Sequence, residues 1–249
     1  MTYQLHLGDC IEGMRGLPDK SVDHVIADPP YSERVHARLG TEQRADGTKW
    51  RNALEFAALN EATIQALAAE YVRVARRWIV LFCDEVTLIR WKTALEHCGA
   101  DYVRKGTWVK PAPMPQMSGD RPCAGTEEIM IAHAPRPKLS GRMRWNGGGK
   151  PATYVVQHFE PGRAHPTQKP LLLMRQILED FTDPGELVLD SHAGSGTTGA
   201  ACIELGRRFI GWELDPKHYA TASKRLTEAS KQQPLFKVAT TQEQERLPL

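Results

Sequence analysis

One run constrains the fold more than any other: Leu187-Val188-Leu189-Asp190-Ser191-His192-Ala193-Gly194-Ser195-Gly196-Thr197-Thr198-Gly199. Three apolar residues read as a short buried strand. The glycines at 194, 196 and 199 then keep the G-x-G-x-x-G spacing of a turn that passes from a strand into a helix. The next apolar run ends in Glu213, nineteen residues after Gly194, where an acidic side chain can take ribose hydroxyls. Strand, glycine loop, helix and strand in that order belong to a sheet wound by crossovers.

The rest of the chain repeats the alternation. Apolar or alternating runs predict strands at Tyr3–Leu7, Ser21–Ala27, Trp78–Cys83, Tyr102–Lys110, Glu128–Ala132, Leu187–Leu189 and Arg208–Trp212. A brief helix runs up to Leu17-Pro18. Glu61–Arg77 is helical, with Ile64, Leu67, Ala68, Tyr71 and Ala75 on one face. Glu85–Cys98 is a helix closed by Gly99 at the C′ position, and Pro170–Phe181 one with Pro170 at N1. Thr197–Leu205 and Pro216–Ala229 complete the set, the last with Asp215 as N-cap. The pattern predicts an α/β fold, a doubly wound and mostly parallel sheet, in one domain over residues 1–249. Three segments depart from it. Residues 32–60 lack periodicity and predict a flexible basic loop. Residues 111–162 gather prolines and Gly147-Gly148-Gly149 around one clear strand, and predict an irregular insertion. Residues 231–249 form a polar tail.

Charge narrows the partners. The chain is close to neutral at +2, yet residues 101–170 hold eleven Lys/Arg against five Asp/Glu. A basic middle in a neutral chain predicts a polyanion footprint. Five widely spaced cysteines without a C-x-x-C pair predict a reducing compartment. The first residues lack a signal-peptide pattern, and the longest apolar run, Trp78–Cys83, is too short for a bilayer. A cytoplasmic protein without membrane contact is expected. No His shows metal-ligand spacing, so no metal is expected.

A second motif, Asp28-Pro29-Pro30-Tyr31, leaves the end of the strand Val25-Ile26-Ala27. Two prolines fix φ and donate nothing, so the turn is stiff and its carbonyls are free to accept. With the Asp28 carboxylate and the flat Tyr31 ring, it suits an amino group on a planar ring, such as a nucleobase exocyclic amine. A rigid turn with an ordinary surface Tyr is the plain alternative. The glycine loop alone also fits a nicotinamide-dependent dehydrogenase. Against that, Asp190 sets a carboxylate where a pyrophosphate-binding turn would not hold one. It suits a cofactor with an ammonium and a ribose but no phosphate, as in S-adenosylmethionine, and Asp28-Pro29-Pro30-Tyr31 has no task in hydride transfer.

In their joint order these motifs resemble the amino-methylating (N6-adenine or N4-cytosine) DNA methyltransferase family, in the β arrangement that puts Asp-Pro-Pro-Tyr before the cofactor loop. The resemblance covers nearly the whole chain apart from the loop, the insertion and the tail. Gly8-Asp9-Cys10 matches the cofactor-adenine segment, and Trp78–Asp84 the strand beside the catalytic motif. Trp108-Val109-Lys110 and Glu127-Glu128 fall in the segment that lines the target-base pocket. His165-Pro166-Thr167-Gln168-Lys169-Pro170 matches the motif that opens the cofactor half. Asp190–Thr198 matches Asp-Pro-Phe-Ala-Gly-Ser-Gly-Thr-Thr, with Ser191 and His192 in place of the usual Pro and Phe, and Trp212-Glu213-Leu214-Asp215 the ribose-binding strand end.

The resemblance implies a Rossmann-like methyltransferase domain with a target-recognition insertion. Its cofactor is S-adenosylmethionine, held by Asp9, Cys10, Asp28, His165, Thr167, Gln168, Lys169, Asp190, His192, Ala193, Gly194, Ser195, Gly196, Thr197, Thr198 and Glu213. Asp28, Pro29, Pro30 and Tyr31 are its catalytic residues. DNA contacts are expected from Arg34 and Arg38 in the loop, Trp108 and Lys110 in the pocket segment, and Arg142, Arg144, Asn146 and Lys150 in the insertion. Asp in this motif goes mostly with adenine in the family, so direct transfer to N6 of a flipped-out adenine in double-stranded DNA is expected. N4-cytosine transfer is the nearest alternative, followed by a DNA-binding module without catalysis and then the dehydrogenase. Pro122-Cys123 resembles the nucleophile of cytosine-C5 methylation but sits in a Pro/Gly-rich stretch, and is read as incidental. A homodimer and a cognate restriction enzyme are implied by resemblance alone.

Overall fold

Eight strands and six helices alternate along the residues that the computed structural model describes, which are 2–31, 59–113, 115, 117, 119–135, 144–158 and 168–231. The strands are β1 (Tyr3–Leu7), β2 (His24–Ala27), β3 (Trp78–Cys83), β4 (Asp101–Val109), β5 (Thr126–His133), β6 (Thr153–Val155), β7 (Leu187–Asp190) and β8 (Arg208–Glu213). The helices are α1 (Cys10–Arg15), α2 (Glu61–Val74), α3 (Glu85–His97), α4 (Leu171–Phe181), α5 (Thr197–Glu204) and α6 (Pro216–Lys231). One sheet takes all eight strands in the order β1-β8-β7-β2-β3-β5-β4-β6. β5 runs antiparallel to β3 and β4, and every other pairing is parallel.

The inner strands read as unbroken apolar runs because both faces are covered. Every residue of β2 and β3 is buried, as a parallel sheet flanked by helices requires. One apolar cluster joins Val25, Ile79, Leu81 and Met130 to α2 and α3 through Ile64, Leu67, Tyr71, Trp91 and Leu95. The other joins Ile26, Val80 and Phe82 to α4 and α5 through Leu173, Ile177, Phe181 and Ala201. Helix starts follow side-chain caps. Asp9 accepts from the Glu12 amide, Asn60 from Thr63, and Asp84 forms a capping box with Thr87. Gly99 adopts positive φ after α3, as a C′ residue should.

Three features differ from expectation. α2 ends at Val74 rather than Arg77, because the amides of Arg76 and Arg77 turn to the carbonyls of Val22 and Asp23. Pro170 caps α4 from outside, with extended backbone, instead of taking its first turn. The segment 111–162, expected as an irregular insertion around one strand at Glu128–Ala132, contributes two strands to the sheet, β5 at the expected place and β6 beyond it. β5 lies between β3 and β4, and β6 adds an edge strand in register Trp108↔Tyr154. Only Tyr154 of β6 points inward, too short an alternation to stand out in sequence. Residues 32–58 and 232–249, which hold most of the expected loop and tail, lie outside the described residues.

The topology places the site. β7 and β2 are neighbours, in register His24↔Val188 and Val25↔Leu189. From β2 the chain winds one way through β3. From β7 it winds the other way through β8, where β1 closes the edge. This boundary is the switch point at which open α/β sheets bind ligands, outside the strand carboxyl ends. Asp28 and Asp190 emerge there from adjacent strands.

Candidate active site

The acceptor half is a charge cluster. Lys169 donates from Nζ to Asp28 Oδ2 at 2.6 Å and to Tyr31 Oη at 3.1 Å. Tyr31 Oη donates to Glu127 Oε2 at 2.6 Å. Lys110 Nζ donates to Glu127 Oε1 at 2.6 Å, and Lys169 lies 3.2 Å from Glu127 Oε2. Lys169 also sits 4.8 Å from the centre of the Phe82 ring and 5.3 Å from that of Tyr31. Two carboxylates thus meet two ammonium groups. Burial raises the Asp28 carboxyl above its ordinary range, against the pull of Lys169. Burial would raise Glu127 as well, but Lys169 and Lys110 overcome it and hold that carboxyl down at about 2. The Tyr31 phenol is pushed well above its usual value by burial and by both carboxylates, so it stays a donor. Asp28 Oδ1 is buried and has no hydrogen-bond partner among the described residues.

The cofactor half is built on β7. Asp190 is 2% exposed. Its Oδ1 accepts from the His192 amide at 3.0 Å, and the Thr198 hydroxyl also bonds to it. Burial raises its carboxyl to about 7, against those two hydrogen bonds and helped by the charges of Asp28 and Glu213. Gly194 and Gly196 take left-handed φ of 53° and 79°. A Cβ on Gly196 would also approach Ala222 of α6 to 3.1 Å, so both conformation and packing ask for glycine. Glu213, at the end of β8, accepts from the Gly194 amide at 2.7 Å and the Asp215 amide at 2.8 Å. It braces the loop with one lone pair on each oxygen and keeps the others for a ligand.

Polar side chains line the loop from behind. Tyr71 Oη and Ser191 Oγ are 2.5 Å apart, and Ser191 Oγ lies 2.8 Å from His192 Nδ1. His192 Nε2 is 3.9 Å from Cys10 Sγ. Burial holds His192 at about 4 and pushes the Cys10 thiol up to about 12, so both are neutral near pH 7. Asp9 and Cys10 reach this place because the Gly8 amide bonds to the Glu213 carbonyl at 2.9 Å. Ala193 and Gly194 form the loop itself, and the hydroxyls of Ser195 and Thr197 sit buried at its exit, with Arg225 donating to Thr197 at 2.9 Å.

Several expected residues sit elsewhere. Lys169, expected at the cofactor, is on Asp28; Gln168 directly precedes it in the chain. Trp108 is fully buried and its indole N–H bonds to the Val156 carbonyl at 2.8 Å, so it supports the pocket from the core instead of meeting DNA. Lys110 joins the charge cluster, paired to Glu127 and 4.7 Å from the centre of the Trp108 ring. Arg144, Asn146 and Lys150 lie by the amino end of β7, away from Asp28. There Asn146 bonds to Thr182 and Asp183, Lys150 pairs with Asp180 at 2.7 Å, and Arg144 lies 3.5 Å from Asp183. These three, expected at DNA from the insertion, thus sit with carboxylates at the opposite sheet end, where the Arg144 and Lys150 side chains stay 70% and 52% exposed. Arg34, Arg38, Arg142, His165 and Thr167 lie outside the described residues. Tyr71 and Ser191 were absent from the expected site because nothing local marks a core tyrosine as a partner of a loop 120 residues away.

A cofactor loop on one strand and an acceptor turn on the next, at the switch point of a doubly wound sheet, define a Rossmann-like group-transfer enzyme. The sequence profile of the N6/N4 family, described as DNA methylase, matches residues 22–224, and the chain belongs to that family. It is an S-adenosylmethionine-dependent DNA methyltransferase. The chain is 26% identical to the type II methyltransferase M.HinfI of Haemophilus influenzae over 244 residues, 89% of this chain and 67% of that protein. It is 27% identical to the putative methylase YubD of Escherichia coli (strain K12) over 224 residues, 88% of each. The M1.HpyAVI–SAM complex superposes with a TM-score of 0.66 at 27% identity, over 90% of this chain and 100% of that one. The cytosine-N4-specific PvuII DNA methyltransferase superposes with a TM-score of 0.68 over 98% of this chain and 90% of that one. At 17% identity this is a likeness of fold.

The loop suits the family's cofactor. Residues 190–199 contain no Lys or Arg for a phosphate, while Asp9, Asp190 and Glu213 supply acceptors for an ammonium and a ribose. Gly196 keeps the helix entrance open where a side chain would strike Ala222. Among the described residues, no helix is long and apolar enough to cross a membrane.

Proposed function

We propose that the protein methylates the exocyclic N6 of adenine in double-stranded DNA, by direct transfer to a base rotated out of the duplex. The observation that carries this is Asp28 Oδ1, a buried carboxylate oxygen without a donor among the described residues. Such an atom is costly to leave unpaired, and an amino group from outside relieves it. S-adenosylmethionine supplies an electrophilic methyl group on sulfonium sulfur. The chain supplies the rest. Asp28 Oδ1 and the Pro29 carbonyl accept the two amine hydrogens, which draws the nitrogen lone pair out of conjugation. Tyr31, fixed through its hydroxyl to Glu127, offers its ring for stacking. Asp190, Asp9 and Glu213 hold the cofactor's cationic and hydroxyl groups. The Asp28 carboxylate also faces the positive charge that builds on the amine, so it acts through preorganised electrostatics more than as a full base. Burial keeps Cys10, Cys83 and Cys202 as thiols, and thiolate is the nucleophilic form; Cys123, the cysteine a covalent route would need, is exposed in the segment before β5.

Adenine is favoured over cytosine by the Asp that opens the motif. Tritiated S-adenosylmethionine with plasmid DNA, followed by nucleoside chromatography, tests this. Label in N6-methyladenine is expected. Label in N4-methylcytosine would replace the base but keep the chemistry, and DNA binding without label would leave a binding module. Asp28→Ala should abolish transfer while leaving S-adenosylmethionine binding largely intact, which calorimetry measures. A homodimer and a cognate restriction enzyme belong to the same reading on the strength of the resemblance, and a cytoplasmic location on the strength of the cysteine pattern.

A further inference from the structure

Lys169 has no part in the transfer just described and Glu127 serves there only to anchor Tyr31, yet the two form the densest charge contact in the site. Lys169 Nζ reaches Asp28 Oδ2, Tyr31 Oη and Glu127 Oε2 within 3.2 Å, and its side chain is 10% exposed. At rest this pairing fits, since Lys169 neutralises Asp28 while leaving Oδ1 open. During transfer it becomes a liability. The amine nitrogen turns cationic when it takes the methyl group, and a second cation bound to the other oxygen of the same carboxylate opposes that charge. Like charges at this range in a dry site repel strongly.

A second carboxylate stands beside Lys169. Glu127 Oε2 is 3.2 Å from Nζ, against 2.6 Å for Asp28, so a small rotation of the lysine exchanges one partner for the other. Lys110 and Tyr31 already hold Glu127 in place through its two oxygens. We propose that Glu127 is a positioning residue that draws Lys169 off Asp28 as the target nitrogen becomes cationic. The Asp28 charge is then free to stabilise the methylated amine before it loses its proton. This role rests on Asp28 being the amine's acceptor.

A double-mutant cycle reads the coupling. Single-turnover methyl transfer to plasmid DNA is measured for the parent, Glu127→Gln, Lys169→Met and the double variant, each across a pH series and compared on its high-pH plateau. Calorimetric affinity for S-adenosylhomocysteine reports an intact fold. Glu127→Gln removes the alternative seat and should slow transfer on the order of ten-fold, with the affinity unchanged. In the Lys169→Met background the same change should cost far less, because no lysine remains to be moved. If Lys169→Met does not fold, Lys169→Gln takes its place, keeping a donor for Asp28 without the charge. A Glu127→Gln penalty of equal size with and without Lys169 would mean that Glu127 only anchors Tyr31, and would overturn the role. Asp28→Ala separates the two levels. Inactive Asp28→Ala with uncoupled Glu127 and Lys169 defeats this role alone, and active Asp28→Ala removes the acceptor assignment beneath it.

Discussion

Asp190 is buried at a strand end with two hydrogen bonds and two acidic neighbours, and its carboxyl titrates near 7. An unfolded Asp titrates near 4. Between those values the folded chain binds more protons than the unfolded one, so this group lowers stability as pH rises from about 4 to 7, by on the order of 4 kcal/mol. Below that window the group costs nothing, and above it the penalty is complete. A ligand ammonium beside Asp190 reverses the balance by favouring the charged form. Binding of S-adenosylhomocysteine should therefore release a proton at about pH 6 and almost none at about pH 8.5. Calorimetry in buffers of different ionisation enthalpy measures this. Equal release by Asp190→Asn would assign the proton to another group. Asp190 and Asp28 were legible in the sequence because each follows a short apolar run and opens a turn of special residues. Glu127 and Lys169 were present in the right segments, but their meeting was not legible. They reach Tyr31 and Asp28 across 96 and 141 residues, and no local pattern encodes which carboxylate a distant lysine chooses.

At the scale of elements, α1 shows how a short helix is held by one close approach. It has six residues and one buried side chain, Met14. Alone, a helix of that length would not persist in water. Gly13 lets its backbone settle on the indole of Trp212 in β8, where any Cβ would overlap the ring, and Trp212 stacks on His6 of β1 at 5.2 Å. Helix propensity favours Ala over Gly by about 1 kcal/mol, so Gly13→Ala would help an isolated helix. In this fold the clash should win, with a net loss of about 1–3 kcal/mol. Urea unfolding of the variant measures it, and a gain in midpoint at constant slope would show that α1 can lift off freely. Because α1 starts at Cys10, cofactor affinity should fall in the same variant. The main elements were legible where they were long or fully buried, as with β3 and α2. β6 was hidden because three residues alternate by chance too often, and its strand character comes from the edge that β4 presents.

At the scale of the molecule, stability should grade from the sheet centre outward. β2, β3 and β7 are flanked by strands and covered on both faces, while β6 borders β4 alone, with Val155 exposed. Native-state hydrogen exchange should be slowest at Val25–Ala27 and Ile79–Phe82 and fastest among strands at Thr153–Val155. Exchange at β6 as slow as at β3 would contradict the gradient. The doubly wound class was legible from alternation alone, but the strand order was not, since the antiparallel place of β5 depends on long-range pairing. The pairing of β1 has its own consequence. β1 precedes β8 in the chain by some two hundred residues, yet the two are partners in the sheet, with Tyr3 opposite Phe209. On the ribosome this strand, and the Gly8-Asp9 turn behind it, must wait until some two hundred residues have followed. The cofactor pocket is thus a late product of synthesis, and a nascent chain that already carries Asp28 on a formed β2 has nowhere to hold a methyl donor.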